Sequence, residues 1–354
     1  MEIKPVILMN GDDSTRRGAE MVRDILFSDY KFLDFDTGVD ARINSNDECI
    51  QAAADALAEY GAGIKISTAS NDPRIKEKGW KSANIVLRPL AGVVGMFRKT
   101  NGKGGYKKDV AVMRYGSGDF YSETSCIPNK NKEGLETRII TQEFIIEDFY
   151  PFANAMVERA KLYNMQMILS SKWTISEGET YIIDICRKVF SEAGLEEGNR
   201  GEGDFYTEIA DMAGAYIPIN VSPPNKSCPM AYGNGGWMLG CGNANGDTFA
   251  DITDLQHGNN TMGSECILRN GGSYYELPGG TAPGRADSDF KGNKFFSPIA
   301  TLIAFNGGVV SVNPQAKVYC DRVIDEAFTY LENTPEEERC TQTMLEHIAK
   351  QASI

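Results

Sequence analysis

The sequence predicts an α/β fold built on a parallel sheet, and three observations carry that expectation. Short apolar runs alternate with amphipathic stretches over residues 5–67. Turn and capping residues stand at the joints between them. The chain between successive apolar runs is long enough for a crossover helix, which a parallel connection requires.

Taken in order, Pro5–Met9 is a buried strand. Asp13 or Ser14 caps a helix to about Phe27, with Met21, Val22, Ile25 and Leu26 on one face. Phe32–Phe35 is a second strand. Asp47 caps a helix over Glu48–Tyr60, whose apolar positions are Ile50, Ala53, Ala54 and Leu57. Gly61 and Gly63 end it, and Gly63–Ser67 is the third strand. Further on, alternating stretches at Asp109–Arg114 and Leu135–Ile146 flank a polar tract and predict antiparallel strands or an arm. Residues 151–198 read as helix, strand, helix, with helices at Phe152–Tyr163 and Ile182–Ala193. Residues 217–236 read as an inserted loop. The last part gives a strand near Glu265–Leu268, a glycine-rich loop at Gly279–Gly284, a helix near Pro298–Phe305 and an amphipathic helix from about Pro335.

Composition narrows the function. The 354 residues are 42% hydrophobic and 24% charged, as a folded chain requires. A net charge of −13 makes nucleic acid and anionic membrane poor partners. An anionic substrate then needs a local basic pocket. No apolar run reaches the ~20 residues of a membrane span, and the first residues read as a strand entering a loop, not a leader. Eight cysteines without CxxC spacing suit reduced thiols and a cytoplasmic setting. Two histidines leave little room for His-rich metal sites or Ser-His-Asp schemes.

Four groups of residues carry candidate chemistry. Ser82 and Asn84 precede Arg88, Arg98 and Arg114; guanidinium forks grip carboxylates, and small polar side chains orient further oxygens. Ordinary surface arginines would read the same way. Asp247 and Asp251 lie four apart, on one face of a helix, where two carboxylates suit Mg²⁺ or Mn²⁺. A solvated acidic face fits equally. Tyr121 and Lys172 are a proton-transfer pair or, alternatively, a packed aromatic and a surface charge. Gly279, Gly280 and Thr281, with Arg285 beyond them, form a loop whose backbone can approach a nucleotide, or a plain flexible turn. No GxGxxG opens a helix after a strand, so a Rossmann dinucleotide site is not supported.

In sequence these pieces resemble the isocitrate and isopropylmalate dehydrogenases, the metal-dependent β-decarboxylating dehydrogenases. Asn10-Gly-Asp-Asp-Ser-Thr-Arg16 is similar to that family's first-strand loop. Trp80-Lys-Ser-Ala-Asn-Ile-Val-Leu-Arg88, with Arg98 ten residues on, resembles isocitrate dehydrogenases in particular. Arg114 to Tyr121 resembles the third substrate arginine and catalytic tyrosine, and Ser170-Ser-Lys172-Trp-Thr174 the catalytic lysine segment. Ile209-Ala-Asp-Met212 and Asn245-Gly-Asp247-Thr-Phe-Ala-Asp251 are similar to the metal-aspartate helices. Gly279-Gly-Thr281 sits in the place of the cofactor loop.

The resemblance implies a large α/β domain from residues 1–92 and 258–354 and a smaller one from 93–257, with a clasp-like arm near 122–148. It implies a homodimer with shared active sites acting on a small polycarboxylate. The implied reaction is oxidation of a 2-hydroxy acid and loss of its β-carboxylate, with Mg²⁺ or Mn²⁺ and NADP or NAD. Tyr121 and Lys172 are then catalytic. Ser82, Asn84, Arg88, Arg98 and Arg114 bind substrate, and Asp247, Asp251 and Asp211 bind the metal. Gly279, Gly280, Thr281, Arg285 and Ser297 meet the cofactor. The sequence departs from the family pattern at three places. Ala210 replaces the first metal aspartate, with Asp211 beside it. Gly279 replaces the cofactor-loop histidine, and Ser297 the asparagine before Pro298. About fourteen extra residues lie between Met212 and Gly235. Gly284 followed by Arg285, in place of an acid, leans toward a 2′-phosphate and hence NADP. Two other readings stay open: a dehydrogenase for another substituted malate, such as homoisocitrate or a phosphonate analogue, and a non-catalytic dimer that binds a polycarboxylate or a protein.

Overall fold

The computed structural model describes residues 4–101, 106–116, 118, 123–199, 201–209, 235–257, 262–277, 279–281 and 295–353. In chain order these form β1 (Val6–Asn10), α1 (Asp13–Leu26), β2 (Phe32–Asp36), α2 (Val39–Asn44), α3 (Glu48–Tyr60), β3 (Ala62–Lys65), α4 (Pro73–Glu77) and α5 (Ala83–Leu90). There follow β4 (Val93–Lys99), β5 (Ala111–Tyr115), β6 (Glu123–Lys130), β7 (Glu136–Gln142), α6 (Phe149–Tyr163), β8 (Gln166–Ser171), α7 (Glu177–Glu192), β9 (Phe205–Ile209), β10 (Trp237–Cys241) and α8 (Asn243–His257). The last are β11 (Gly263–Leu268), β12 (Ser273–Glu276), α9 (Ile299–Val312), α10 (Lys317–Asn333) and α11 (Thr341–Ala352). The chain divides into two compact units, one of Met1–Gly92, Thr100–Gly104 and Gly258–Ile354, the other of Val93–Lys99 and Gly105–His257.

In the first unit the strands run β2-β1-β3-β12-β11. The first three pair in parallel, with Ile7 opposite Leu33 and Gly63. β12 continues parallel to β3, and β11 turns back antiparallel. Every residue of β1 is buried, as a strand covered on both faces must be. Its core joins Val6, Leu8 and Ile64 to Val22 and Phe27 and to Leu302, Phe305, Val323 and Leu345 of the C-terminal helices. α9 comes close to the sheet because Gly308 faces Ile64, whose Cγ1 would stand 2.5 Å from an added Cβ. Gly308→Val is therefore expected to destabilise the protein by about 1–3 kcal/mol through overpacking. Urea unfolding checks this, and Gly308→Val combined with Ile64→Ala should recover part of the loss.

In the second unit the order is β4-β5-β10-β8-β9. β4 and β5 are antiparallel, and the other neighbours are parallel. Val112, Ile168, Trp237, Leu239 and Phe249 share one core cluster with Tyr106. β6 and β7 form a separate antiparallel ribbon, paired Ile127 to Ile139 and Cys126 to Ile140. Its turn is held by Asn131, whose side-chain oxygen accepts from the Glu133 and Leu135 N–H groups. This ribbon occupies the stretch expected to be an arm.

Several boundaries need correction. Asp12, not Asp13 or Ser14, stands at the α1 N-cap, and its carboxylate serves other backbone groups. Asp47 precedes α3 but makes no side-chain cap; it pairs with Arg42 instead. The third strand ends at Lys65, short of Ser67. The helix expected to stop near Phe305 continues to Val312. α10, one long helix over Lys317–Asn333, precedes the last one, which starts at Thr341 and not near Pro335. There Glu336–Glu338 form only a short 3₁₀ turn after an extended Pro335. Most of the expected loop at 217–236 lies outside the described residues. No helix among the described residues is long and apolar enough to cross a membrane.

Candidate active site

Each unit gathers its own set of the candidate residues. In the first unit a cleft of about 760 Å³ is lined by the loop after β1, the loop after β3, Asn84 of α5 and the end of β12 running into Gly279, Gly280 and Thr281. Asp12 fixes its floor. One carboxylate oxygen accepts from the Val39 N–H at 2.9 Å and the other from the Ala69 N–H at 2.8 Å. The Ser67 hydroxyl donates to the Gly279 carbonyl at 3.1 Å, tying the glycine loop to the same wall. Gly279 has φ +100°, a conformation that suits glycine, and nothing stands within 4 Å of where its Cβ would be. The loop thus presents bare backbone to the cleft, a surface that fits a nucleotide. Arg16 and Arg74 also line it, each already paired with carboxylates.

Ser82 caps α5, its hydroxyl accepting from the Ile85 N–H at 3.3 Å. That helix start sets Asn84 and, one turn on, Arg88. Arg88 donates to Glu276 at 2.7 Å; the Glu276 side chain is buried and that of Arg88 is half-buried. Burial pulls the guanidinium pKa down, Glu276 with Cys266 and Tyr274 pulls it up, and the net shift is upward. Asn84 Oδ1 and Arg88 Nε are buried with no hydrogen-bond partner. Such orphans are uncommon in folded proteins, and water, an ion or a ligand can satisfy them.

Lys65 joins this group, and the sequence reading did not single it out. It ends β3, lines the cleft and is 2% exposed. Burial pulls its ammonium pKa from 10.5 down to about 8, against Glu276, which raises it, while Arg88 lowers it further. The available signal was a lysine inside the apolar run Gly63-Ile-Lys-Ile66. A cation with a depressed pKa loses its proton in the folded state before it does in the unfolded chain. Its burial penalty is therefore present below pH 8 and fades as pH rises from about 8 to 10.5. Lys65→Met should be more stable than wild type at pH 7, with the advantage shrinking across that window. Urea unfolding at a series of pH values reads it, and a pH-independent difference would contradict the assignment.

The second unit brings four candidates together. Arg98 on β4 reaches Asp247 at 3.5 Å and Asp251 at 3.3 Å, so one cationic group serves both carboxylates. Arg114 on β5 is 3% exposed and ion-pairs with Asp247. Partial burial moves the Asp251 carboxyl pKa up, Arg98 opposes, and Asp247 and Asp254 add to the rise. Two carboxylates four residues apart on α8, bridged by one guanidinium, fit a shared cation. Among the described residues no third Asp, Glu, His or Cys completes a cluster. Arg98 Nε is another buried orphan. The shape of the site explains Gly246, because an added Cβ there would lie 2.1 Å from Arg114 Cβ.

Lys172 follows β8 and is half-buried; its backbone N–H donates to Glu179 on α7. Ser297 lies just before α9, half-buried. Tyr121, Asp211 and Arg285 fall outside the described residues.

Comparison with known proteins gives one consistent direction. No protein-family profile matches the chain. The mitochondrial NADP isocitrate dehydrogenase of Candida tropicalis is 25% identical over 312 residues, 77% of this chain and 69% of that protein. The Aspergillus niger mitochondrial enzyme is 25% identical over 347 residues, 86% of this chain and 66% of its own length, so the chain spans about two thirds of these relatives. An NADP isocitrate dehydrogenase from Sphingobium yanoikuyae is 33% identical over 135 residues, about a third of each chain. Among solved structures, an isocitrate dehydrogenase from Ostreococcus tauri, crystallised with isocitrate and magnesium(II), superposes with a TM-score of 0.79 over 99% of both chains at 16% identity.

Proposed function

We propose, from this chain's membership of the isocitrate/isopropylmalate dehydrogenase family, that it oxidises and decarboxylates isocitrate or a closely related 2-hydroxy polycarboxylate. The observation that carries the reading is the set of buried, unsatisfied polar atoms on Asn84, Arg88 and Arg98, three of the five residues expected to hold substrate carboxylates and hydroxyls. In a protein with net charge −13, an anionic substrate needs such guanidinium donors, which here already pair with Glu276, Asp247 and Asp251.

Arg98 and Arg114 hold carboxylates, and Asn84 and Arg88 hold the distal group, with Ser82 setting their helix. Lys172 takes the proton from the substrate hydroxyl, and Tyr121 returns a proton to carbon after CO₂ leaves. Asp247, Asp251 and Asp211 would hold Mg²⁺ or Mn²⁺, and the glycine loop with Arg285 and Ser297 would hold NADP or NAD. When bound, the cation supplies Lewis-acid polarisation of the hydroxyl and the nicotinamide supplies a hydride acceptor. The working form is a homodimer in which Lys172 serves the neighbouring subunit's site.

Thermal melting tests the substrate class without turnover. D-isocitrate with Mn²⁺ should raise Tm by several degrees, and EDTA should cancel the rise, by linkage. Stabilisation by homoisocitrate, a phosphonate analogue or isopropylmalate in place of isocitrate would favour the second reading, a dehydrogenase for another substituted malate. The open backbone at Gly279, where the family pattern has histidine, is the observation behind that alternative. No response to any of these anions would contradict both.

A further inference from the structure

We infer that Asn243 is a positioning residue that sets how Arg114 presents its guanidinium to a carboxylate. The inference rests on the proposed role of Arg114 in substrate binding. Asn243 opens α8 and is 3% exposed. Its side-chain oxygen accepts from Arg114 Nε at 2.9 Å and from Nη2 at 2.7 Å. Its amide nitrogen donates to the Gly118 carbonyl at 3.4 Å, which fixes the amide with oxygen toward the arginine. Asp247, one turn further on the same helix, takes Nη1. Gly246, between them, leaves the room that lets the helix close over the Arg114 side chain.

A guanidinium offers a carboxylate two bidentate edges, the side edge Nε/Nη2 and the end Nη1/Nη2. Asn243 covers the side edge with a neutral acceptor. A substrate carboxylate is thereby directed to the end of the fork, the same end that Asp247 touches. A neutral acceptor adds no charge beside Arg114, whereas a carboxylate at position 243 would place a second anion next to the Asp247 pair. Asn243 thus holds the guanidinium without adding a negative charge of its own.

The test compares Asn243→Ala and Asn243→Asp with wild type, under metal and nucleotide saturation. Asn243→Ala should raise KM for the polycarboxylate about tenfold or more, the worth of roughly 1.4 kcal/mol of lost hydrogen bonding, with a much smaller change in kcat. Asn243→Asp keeps the acceptor and the fold, so its Tm should match or exceed wild type while KM still rises. If Asn243 served the fold alone, Asn243→Asp would restore KM together with Tm, and that result would overturn the inference while leaving the function intact. A second readout stands apart from turnover. The Arg114 Nε–H signal of ¹⁵N-arginine-labelled protein should exchange slowly in wild type and fast in Asn243→Ala. If wild type showed no turnover, slow exchange lost in Asn243→Ala would still support the positioning role, and fast exchange in wild type would defeat it.

Discussion

Lys172→Met is expected to lower kcat by about 10²–10⁴-fold while Tm stays within a few degrees of wild type, because a positioned proton acceptor contributes that much to proton transfer. The side chain is half-buried, and the contact to Glu179 is made by the backbone N–H, which methionine retains. That backbone contact to α7 survives the substitution. Steady-state rates with D-isocitrate and circular dichroism melts read both quantities. A variant that keeps near-wild-type kcat would remove Lys172 from the chemistry. If the activity survives at higher pH only, solvent hydroxide has taken over the proton, which would itself place the lysine at that step.

The second large effect is expected at Glu276. This carboxylate stands 2.7 Å from Arg88 and is the principal charge raising Lys65; Glu276 and Lys65 are buried and Arg88 is half-buried. Glu276→Gln keeps the shape but leaves buried Lys65 and half-buried Arg88 without their anion. Breaking a buried ion pair typically costs about 3–5 kcal/mol, and Lys65 should respond by giving up its proton more readily still. Urea unfolding at pH 7 measures the loss. A loss below about 1 kcal/mol would mean that the charges are well solvated and that the cleft is not the low-dielectric site described above. Double replacement, Glu276→Gln with Lys65→Met, should recover part of the stability, because one of the stranded cations is gone.

The strands and helices near the start were legible because their signals are local. Five successive buried residues in β1, the apolar face of α3 and the left-handed Gly61 at its end all show in the sequence. Caps were less legible, since a carboxylate near a helix start has competing uses. Asp12 serves Val39 and Ala69, and Asp47 serves Arg42. α10 has only a moderate apolar face, Cys320, Val323, Ala327 and Tyr330, and its burial comes from α9 and α11, so a local pattern does not announce it.

At the site, spacing placed Asp247 and Asp251 on one face of a helix, and the structure puts both within reach of Arg98. Periodicity could not show that Arg98 and Arg114, far apart from α8 in sequence, meet those carboxylates, because strand pairing brings them there. For the same reason Lys65 and Glu276 were missed. Each sits at the end of a different strand, and their encounter follows from the parallel register of β3 with β12, where Lys65 is opposite Glu276. Asn243 was missed because an amide at a helix start reads as an ordinary cap.

The most direct test is reduced-nucleotide formation by the purified protein with D-isocitrate and Mn²⁺ or Mg²⁺, with NADP and NAD in parallel and an EDTA control. The proposed chemistry predicts chelator-sensitive formation of the reduced nucleotide accompanied by stoichiometric CO₂, faster with NADP. No turnover with isocitrate, homoisocitrate, a phosphonate analogue or isopropylmalate, under conditions where the protein is folded and metal-replete, would contradict it.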